Sequence, residues 1–175
     1  MDNILIAFIN LGPYHLARIK SAYNSLKKTS YQLHVIELTN NSLEHSWGEV
    51  DRSFSKNIYT LELVRENLFS SQMKDISHPK VDIDKLNKYL NKIKPKLIFL
   101  PGWSFEISKL ISNWAKANRV KIALMSETKS DDKRRNIIIE FYKRYFLIPK
   151  YSAAIVGGSS HSTYLESLGM KKELI

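Results

Sequence analysis

Two kinds of apolar run alternate along the chain. Residues 3–10 (NILIAFIN) are apolar almost without a break, the mark of a strand covered on both faces of a parallel sheet. Gly12-Pro13 interrupts the run, and proline suits the first turn of a helix. Leu16, Ile19, Tyr23 and Leu26 then recur at helical spacing, which predicts an amphipathic helix over residues 13–28. A second strand is expected at 31–38 (YQLHVIEL), a polar loop at 40–56 and a weaker strand at 57–63; residues 64–80 show no clear period. Leu86, Tyr89, Leu90 and Ile93 place a helix at 82–94, stopped by Pro95.

The pattern continues with a short buried strand at 96–101 (KLIFLP). Ser104 stands where it would cap a helix carrying Ile107, Leu110, Ile111 and Trp114 on one face. A strand at 120–125 and a helix at 132–147 follow, with Ile138, Phe141 and Tyr145 expected to turn inward. The last strand is expected at 152–156 (SAAIV) and the last helix at 159–168, closed by Gly169 as residue C′. Helices between buried strands imply βαβ units with right-handed crossovers. The predicted fold class is α/β: a Rossmann-like open parallel sheet of about six strands with helices on both faces, in a single domain over 1–175.

Composition narrows the class. A chain of 175 residues with 43% hydrophobic and 25% charged residues can bury one good core and is neither disordered nor fibrous. The absence of cysteine excludes a disulfide scaffold, thiolate metal ligation and cysteine catalysis. No apolar run approaches the ~20 residues that span a bilayer, and the opening Met-Asp-Asn-Ile-Leu-Ile has no basic segment or cleavage site. The expectation is a soluble, cytoplasmic protein.

Charge adds a local feature. Lys and Arg outnumber Asp and Glu 27 to 17, a formal +10. Residues 80–96 carry six basic and two acidic side chains, and residues 129–150 carry seven and three, so two windows hold +8 of the excess. Such surfaces attract phosphorylated substrates, anionic membranes or nucleic acid, although a solvated helix face has the same composition. Nucleic acid ranks last, because Tyr89, Phe141 and Tyr142 fall mostly on the predicted apolar faces instead of standing out for base stacking.

Ligands of open α/β sheets bind beyond the carboxyl ends of the strands, here residues 10–15, 102–104, 126–132 and 157–161. No GxGxxG follows the first strand and no GxxxxGK[ST] occurs, which argues against dinucleotide and P-loop binding; no cofactor is expected. Asp82-Ile83-Asp84 has the form of a DxD metal motif, but its place before a lysine-rich helix better fits capping and dipole compensation. The five histidines are scattered and no HExxH occurs, so no metal site is expected.

His15 lies in the first turn of the first helix, where an imidazole could bind a sugar hydroxyl or act as a base; packing on Tyr14 is the structural alternative. Gly12 could shape the same site or only the turn. Trp103, at a strand end, could stack on a sugar or pack in the core. Arg134 and Arg135 could clamp a phosphate or pair with Glu140 and Asp131.

These residues carry a resemblance. Gly12-Pro13-Tyr14-His15-Leu16-Ala17-Arg18 after the first strand is similar to the opening of bacterial retaining glycosyltransferases with the GT-B fold, of the large group 1 or family 4 type. Met125-Ser126-Glu127-Thr128, Asp131-Asp132, Arg135, Glu140 and Lys143-Arg144 follow in the family's order. Val156-Gly157-Gly158, His161, Tyr164-Leu165 and Leu168-Gly169 continue it, as in the second half of that family's amino-terminal domain. Residues 40–95 match nothing in it.

The resemblance implies two facing Rossmann-like domains, the amino-terminal one holding mainly the acceptor. The other binds the nucleotide-sugar donor through a basic pair and an E-x7-E motif. This chain ends at residues 171–175 (KKELI), where the family crosses into its second domain, so the donor domain is expected to be absent and the isolated chain inactive. The implied function is the acceptor-binding domain of a retaining glycosyltransferase, moving a sugar from a nucleotide diphosphate sugar to a glycan or lipid-linked acceptor, as in polysaccharide biosynthesis. His15 would be catalytic. Gly12, Trp103, Ser126, Glu127, Arg135 and His161 would bind substrate, with no metal. Two alternatives stand beside it. One is a non-catalytic module docking an anionic membrane at the inner face of the cell membrane through its basic helices. The other is part of a GT-B sugar-nucleotide epimerase.

Overall fold

A computed structural model describes residues 1–39, 58–62, 81–132 and 134–175. The loop expected at 40–56 and the patternless stretch 64–80 lie outside these residues. The strands are β1 (Asp2–Phe8), β2 (Tyr31–Thr39), β3 (Ile58–Glu62), β4 (Leu97–Pro101), β5 (Lys121–Ser126) and β6 (Ala153–Val156). They form a six-stranded sheet in the order β3-β2-β1-β4-β5-β6. Between them run α1 (Pro13–Leu26), α2 (Ile83–Ile93), α3 (Glu106–Ala117) and α4 (Ile137–Tyr142), with α5 (Ser159–Ser167) after β6. The α/β, Rossmann-like class expected from the alternation is the one observed. Two compact units divide the chain, Met1–Lys96 and Leu97–Ile175.

In the amino-terminal unit β1 pairs in parallel with β2, Leu5 opposite His34, and β2 with β3, Ile36 opposite Tyr59. Leu16 and Ile19 of α1 pack with Leu11, Leu33 and Val35 in one buried cluster. Each such aliphatic side chain contributes ~1.5–3 kcal/mol by leaving water. In α2 the expected stripe is the buried one, with Leu86, Leu90 and Ile93 almost fully enclosed. Asp82 caps that helix by accepting the Lys85 N–H at 3.0 Å. That backbone hydrogen bond is the main reason its carboxyl titrates below the ordinary range. The Asp-Ile-Asp element is therefore a helix start. Lys94 takes a left-handed backbone, φ 45°, and Pro95 follows.

The carboxyl-terminal unit is built on parallel pairs β4–β5 and β5–β6. Ile98, Leu100, Ile107, Ile111, Leu124 and Leu165 are sealed in its core. Three consecutive buried residues in β5, Ile122 to Leu124, fit a strand covered on both faces. Gly102, at φ +65°, turns the chain after β4 in a conformation that favours glycine, and its N–H donates to Met125 O at 2.8 Å. Gly169, at φ +93°, closes α5 as expected. Its N–H donates to Glu166 O and the Met170 N–H to Leu165 O, a Schellman pair.

Two expectations fail here. Ser104 does not cap α3; Phe105 occupies that position, without a side-chain bond. The helix expected at 132–147 begins only at Ile137, where Asn136 accepts the Ile138 and Ile139 N–H groups. It continues through a π-helical turn at Lys143–Leu147 and a 3₁₀ turn at Ile148–Lys150. Ile138, Phe141 and Tyr145 point outward, not inward, and Tyr142 is exposed as well. The reason is a polar network on the opposite side of this helix.

Candidate functional site

In the amino-terminal unit the candidate residues lie just past β1. Gly12 is the N-cap of α1 with an extended backbone, and Pro13 is the first helical residue. Nδ1 of His15 accepts the Gly12 N–H at 3.4 Å, so the imidazole caps its own helix. With Nδ1 an acceptor, the neutral ring carries its proton on Nε2 and presents a donor there. The ring lies 4.8 Å from Phe8 and 5.7 Å from Tyr14, centroid to centroid. The packing on Tyr14 foreseen as the structural alternative is therefore present, together with a cap that fixes the ring's orientation.

Beneath this turn sits a residue that the sequence reading missed. Glu37, in the apolar strand β2, is fully buried. One carboxylate oxygen accepts the Leu11 N–H at 3.3 Å and the other the Thr60 hydroxyl at 2.6 Å. It thereby pins the peptide just ahead of Gly12. The available signal was a lone acid near the carboxyl end of YQLHVIEL, since a buried charge needs hydrogen-bond partners. His34, in the middle of β2, is a structural histidine. Its Nε2 lies 3.2 Å from Asn3 Oδ1, and burial lowers its pKa. A groove of about 530 Å³ in this unit is lined by His34, Tyr59, Tyr89, Lys85, Lys88 and Lys92, away from the carboxyl ends of the strands.

The carboxyl-terminal unit holds the other five predicted site residues. Ser126 is buried, and its Oγ accepts the Thr128 N–H at 3.4 Å, which ties it to the turn after β5. Glu127, next in the chain, is exposed. It meets His161 over Gly157: a Cβ at Gly157 would stand 3.4 Å from His161 Cε1 and 3.8 Å from Glu127 Cγ. Nδ1 of His161 is buried without a hydrogen-bond partner. Such an atom costs about 1–3 kcal/mol while it stays unpaired.

One turn further along α5, Tyr164 shares the face of His161. Its hydroxyl accepts from Lys143 Nζ at 2.8 Å and donates to Glu140 at 2.7 Å, and Lys143 also bonds Glu140 at 2.7 Å. Burial acts to raise the Glu140 pKa, but the hydrogen bonds from Lys143 and Tyr164 outweigh it and hold the carboxyl below its ordinary value. Tyr164 is pushed far up, by burial first and by its bond to Glu140 second. Arg135 stacks on the Tyr164 ring at 4.5 Å, and its Nε donates to Ser130 O at 2.9 Å. Its Nη2 is buried with no partner. Trp103 is half-buried, with the Lys143 ammonium 5.7 Å from its ring centre. The expected pairing of Arg135 with Glu140 is thus a through-space attraction, and the ion pair goes to Lys143.

This unit therefore gathers Glu127, His161 and Arg135 at α5, with Trp103 linked to them only through Lys143, while Gly12 and His15 belong to the other unit. An open carboxylate, an unpaired imidazole nitrogen and an unpaired guanidinium Nη2 suit the alternating donors and acceptors of a polyhydroxyl ligand. Among the described residues no cluster of three metal-ligating side chains occurs.

No family model matches the chain, and no curated protein does. Solved structures do. UDP-N-acetylglucosamine 2-epimerase from Rickettsia bellii superposes with a TM-score of 0.61 at 20% identity, covering 99% of this chain and 43% of that one. The S. aureus MnaA–UDP structure gives 0.56 at 15% identity, over 99% and 42%. The Neisseria meningitidis UDP-GlcNAc 2-epimerase bound to UDP-GlcNAc gives 0.54 at 10% identity, over 99% and 44%. The chain spans less than half the length of each. At these identities the likeness establishes the fold: an α/β, Rossmann-like unit of the GT-B kind that these epimerases share with glycosyltransferases.

Proposed function

We propose that this chain is the acceptor-side half of a two-domain enzyme that transfers a sugar from a nucleotide diphosphate sugar to a glycan or lipid-linked acceptor. The observation that carries the reading is the meeting of Glu127 and His161 over Gly157, beyond the ends of β5 and β6. There the exposed Glu127 can take an acceptor hydroxyl, and His161, whose enclosed Nδ1 has no partner, can pair with a second once its ring turns outward. The motif order from Gly12 to Gly169 supports the transferase class.

In this reading His15 acts as a donor. Its Nδ1 accepts the Gly12 N–H, so toward a substrate oxygen the ring acts by hydrogen bonding through Nε2–H and transfers no proton. The cap and the Phe8 contact orient it before substrate arrives, which avoids reorganisation during the reaction. Charge developing on the leaving diphosphate would be met mainly by a second, donor-binding domain.

The structural neighbours favour a second reading, part of a sugar-nucleotide epimerase. Product analysis separates the two. A two-domain enzyme carrying this chain is incubated with UDP-N-acetylglucosamine and other nucleotide sugars, with and without glycan acceptors. Transfer requires the acceptor and yields a glycosylated product with release of nucleotide. A C2 epimer formed without any acceptor would overturn the transferase reading in favour of the epimerase.

A further inference from the structure

The helix that opens at Ile137 is inverted. Its ionic residues Glu140 and Lys143 face the protein, hydrogen-bonded to each other and to Tyr164. Its outer surface is apolar: Ile137, Ile138 and Ile139 are 87%, 78% and 52% exposed, and Phe141, Tyr142, Tyr145 and Phe146 are each more than half exposed. The aromatics are ordered in two i, i+4 pairs, Phe141–Tyr145 at 4.4 Å and Tyr142–Phe146 at 5.4 Å. A continuous apolar surface of this kind marks an interaction site.

The charges around it identify the partner. Arg134, Arg144 and Lys150 are exposed at its borders, and Glu140, the one acid within residues 134–150, is neutralised by Lys143. The complementary surface is therefore anionic, which disfavours a second copy of a chain that itself carries +10. Phe141 and Tyr142 are exposed, contrary to the expectation that ranked nucleic acid last. The four rings are, however, engaged with one another in pairs and the three isoleucines add none to stack on a base, which still disfavours single-stranded nucleic acid. Aliphatic side chains, phenols at the margin and a basic rim match acyl chains beneath phosphate headgroups. Among the described residues no helix is long and apolar enough to cross a membrane, so the contact lies in the plane of the interface.

We infer that residues 137–150 form a docking surface for an anionic lipid bilayer, with Ile138 and Phe141 inserted and Arg134 and Arg144 against the headgroups. The inference stands independently of the proposed reaction. The chain is tested by co-sedimentation with vesicles of phosphatidylglycerol and phosphatidylcholine in equal parts, and of phosphatidylcholine alone. Binding to the anionic vesicles should weaken several-fold in high salt and on neutral vesicles. The double variant Ile138→Ser/Phe141→Ser should bind about tenfold more weakly or worse, with an unchanged thermal midpoint because both side chains are exposed. Since the chain has no cysteine, a Phe141→Cys variant carrying an environment-sensitive fluorophore reports insertion at that position alone, by a blue shift on anionic vesicles. Absence of binding, equal binding by the double variant, or a label that stays in water would each overturn the inference. So would self-association abolished by the same double variant, or binding to a single-stranded oligonucleotide that competes with the vesicles.

Discussion

His15 and His161 stand in the first turns of α1 and α5, each just past a strand, and differ in what their Nδ1 atoms do. In His15 that atom accepts the Gly12 N–H, so the ring serves the helix start and holds one tautomer. In His161 it is enclosed with no partner. A capped imidazole has its orientation set by the helix start, whereas an enclosed, unpartnered one is a polar atom that the fold leaves unsatisfied, a mark of a functional position. Position at a strand end is common to both; the hydrogen-bond inventory tells them apart.

The comparison is broken most strongly at Gly157. Gly157→Leu fills the space between Glu127 and His161. In a two-domain enzyme carrying this chain, kcat/KM should fall by about 10²-fold or more, as expected when a reactant is displaced by ~1 Å. The thermal midpoint should change little, since the backbone at Gly157 is not left-handed. Steady-state kinetics and a thermal melt check both parts.

A smaller effect sharpens the contrast from the frame around His161. Tyr164→Phe removes the hydroxyl that joins Lys143 to Glu140. Urea denaturation should show a loss of about 1–2 kcal/mol. The pH dependence follows from the sign of the shift. Glu140 has a folded pKa below its ordinary 4.5, so its contribution is complete above that value and is lost as pH falls through the folded pKa. Denaturation midpoints below about pH 4.5 should therefore drop less steeply in Tyr164→Phe than in the parent. Equal slopes would remove the network from the account.

The smallest effect concerns His34, a histidine with no place in the site. Burial lowers its pKa below 6.5, so the native state favours the neutral ring. Its stabilisation is present above pH 6.5 and is lost as pH falls through the folded value. His34→Gln should flatten a shallow decline in stability below about pH 6.5 and leave activity unchanged.

Much of this architecture was legible in the sequence because parallel strands buried on both faces write continuous apolar runs, as at Leu5 and Ile122–Leu124. The helix α2 was legible for a related reason: its apolar stripe is the side that meets the core. The helix from Ile137 has a comparable apolar stripe and the opposite orientation. Periodicity reports that a helix has two sides but not which one is buried. Here the choice falls to Tyr164, more than twenty residues away, which draws Glu140 and Lys143 inward. The strand-end positions of Glu127 and His161 followed from topology. Ser126 turned out to serve a backbone turn. Glu37 escaped notice because its partners, Leu11 and Thr60, are brought to it only by folding.

In the proposed site His15 holds a positioned hydrogen-bond donor toward the substrate, and one substitution tests this directly. In a two-domain enzyme carrying this chain, kcat/KM is measured for His15→Ala against the parent, with the thermal midpoint as control. The expected loss is roughly 10²-fold or more, the range for removing one preorganised hydrogen-bond donor. Loss of the weak 3.4 Å cap should lower the midpoint only slightly. Full activity in His15→Ala would contradict that role and leave the ring as a helix cap packed on Phe8 and Tyr14.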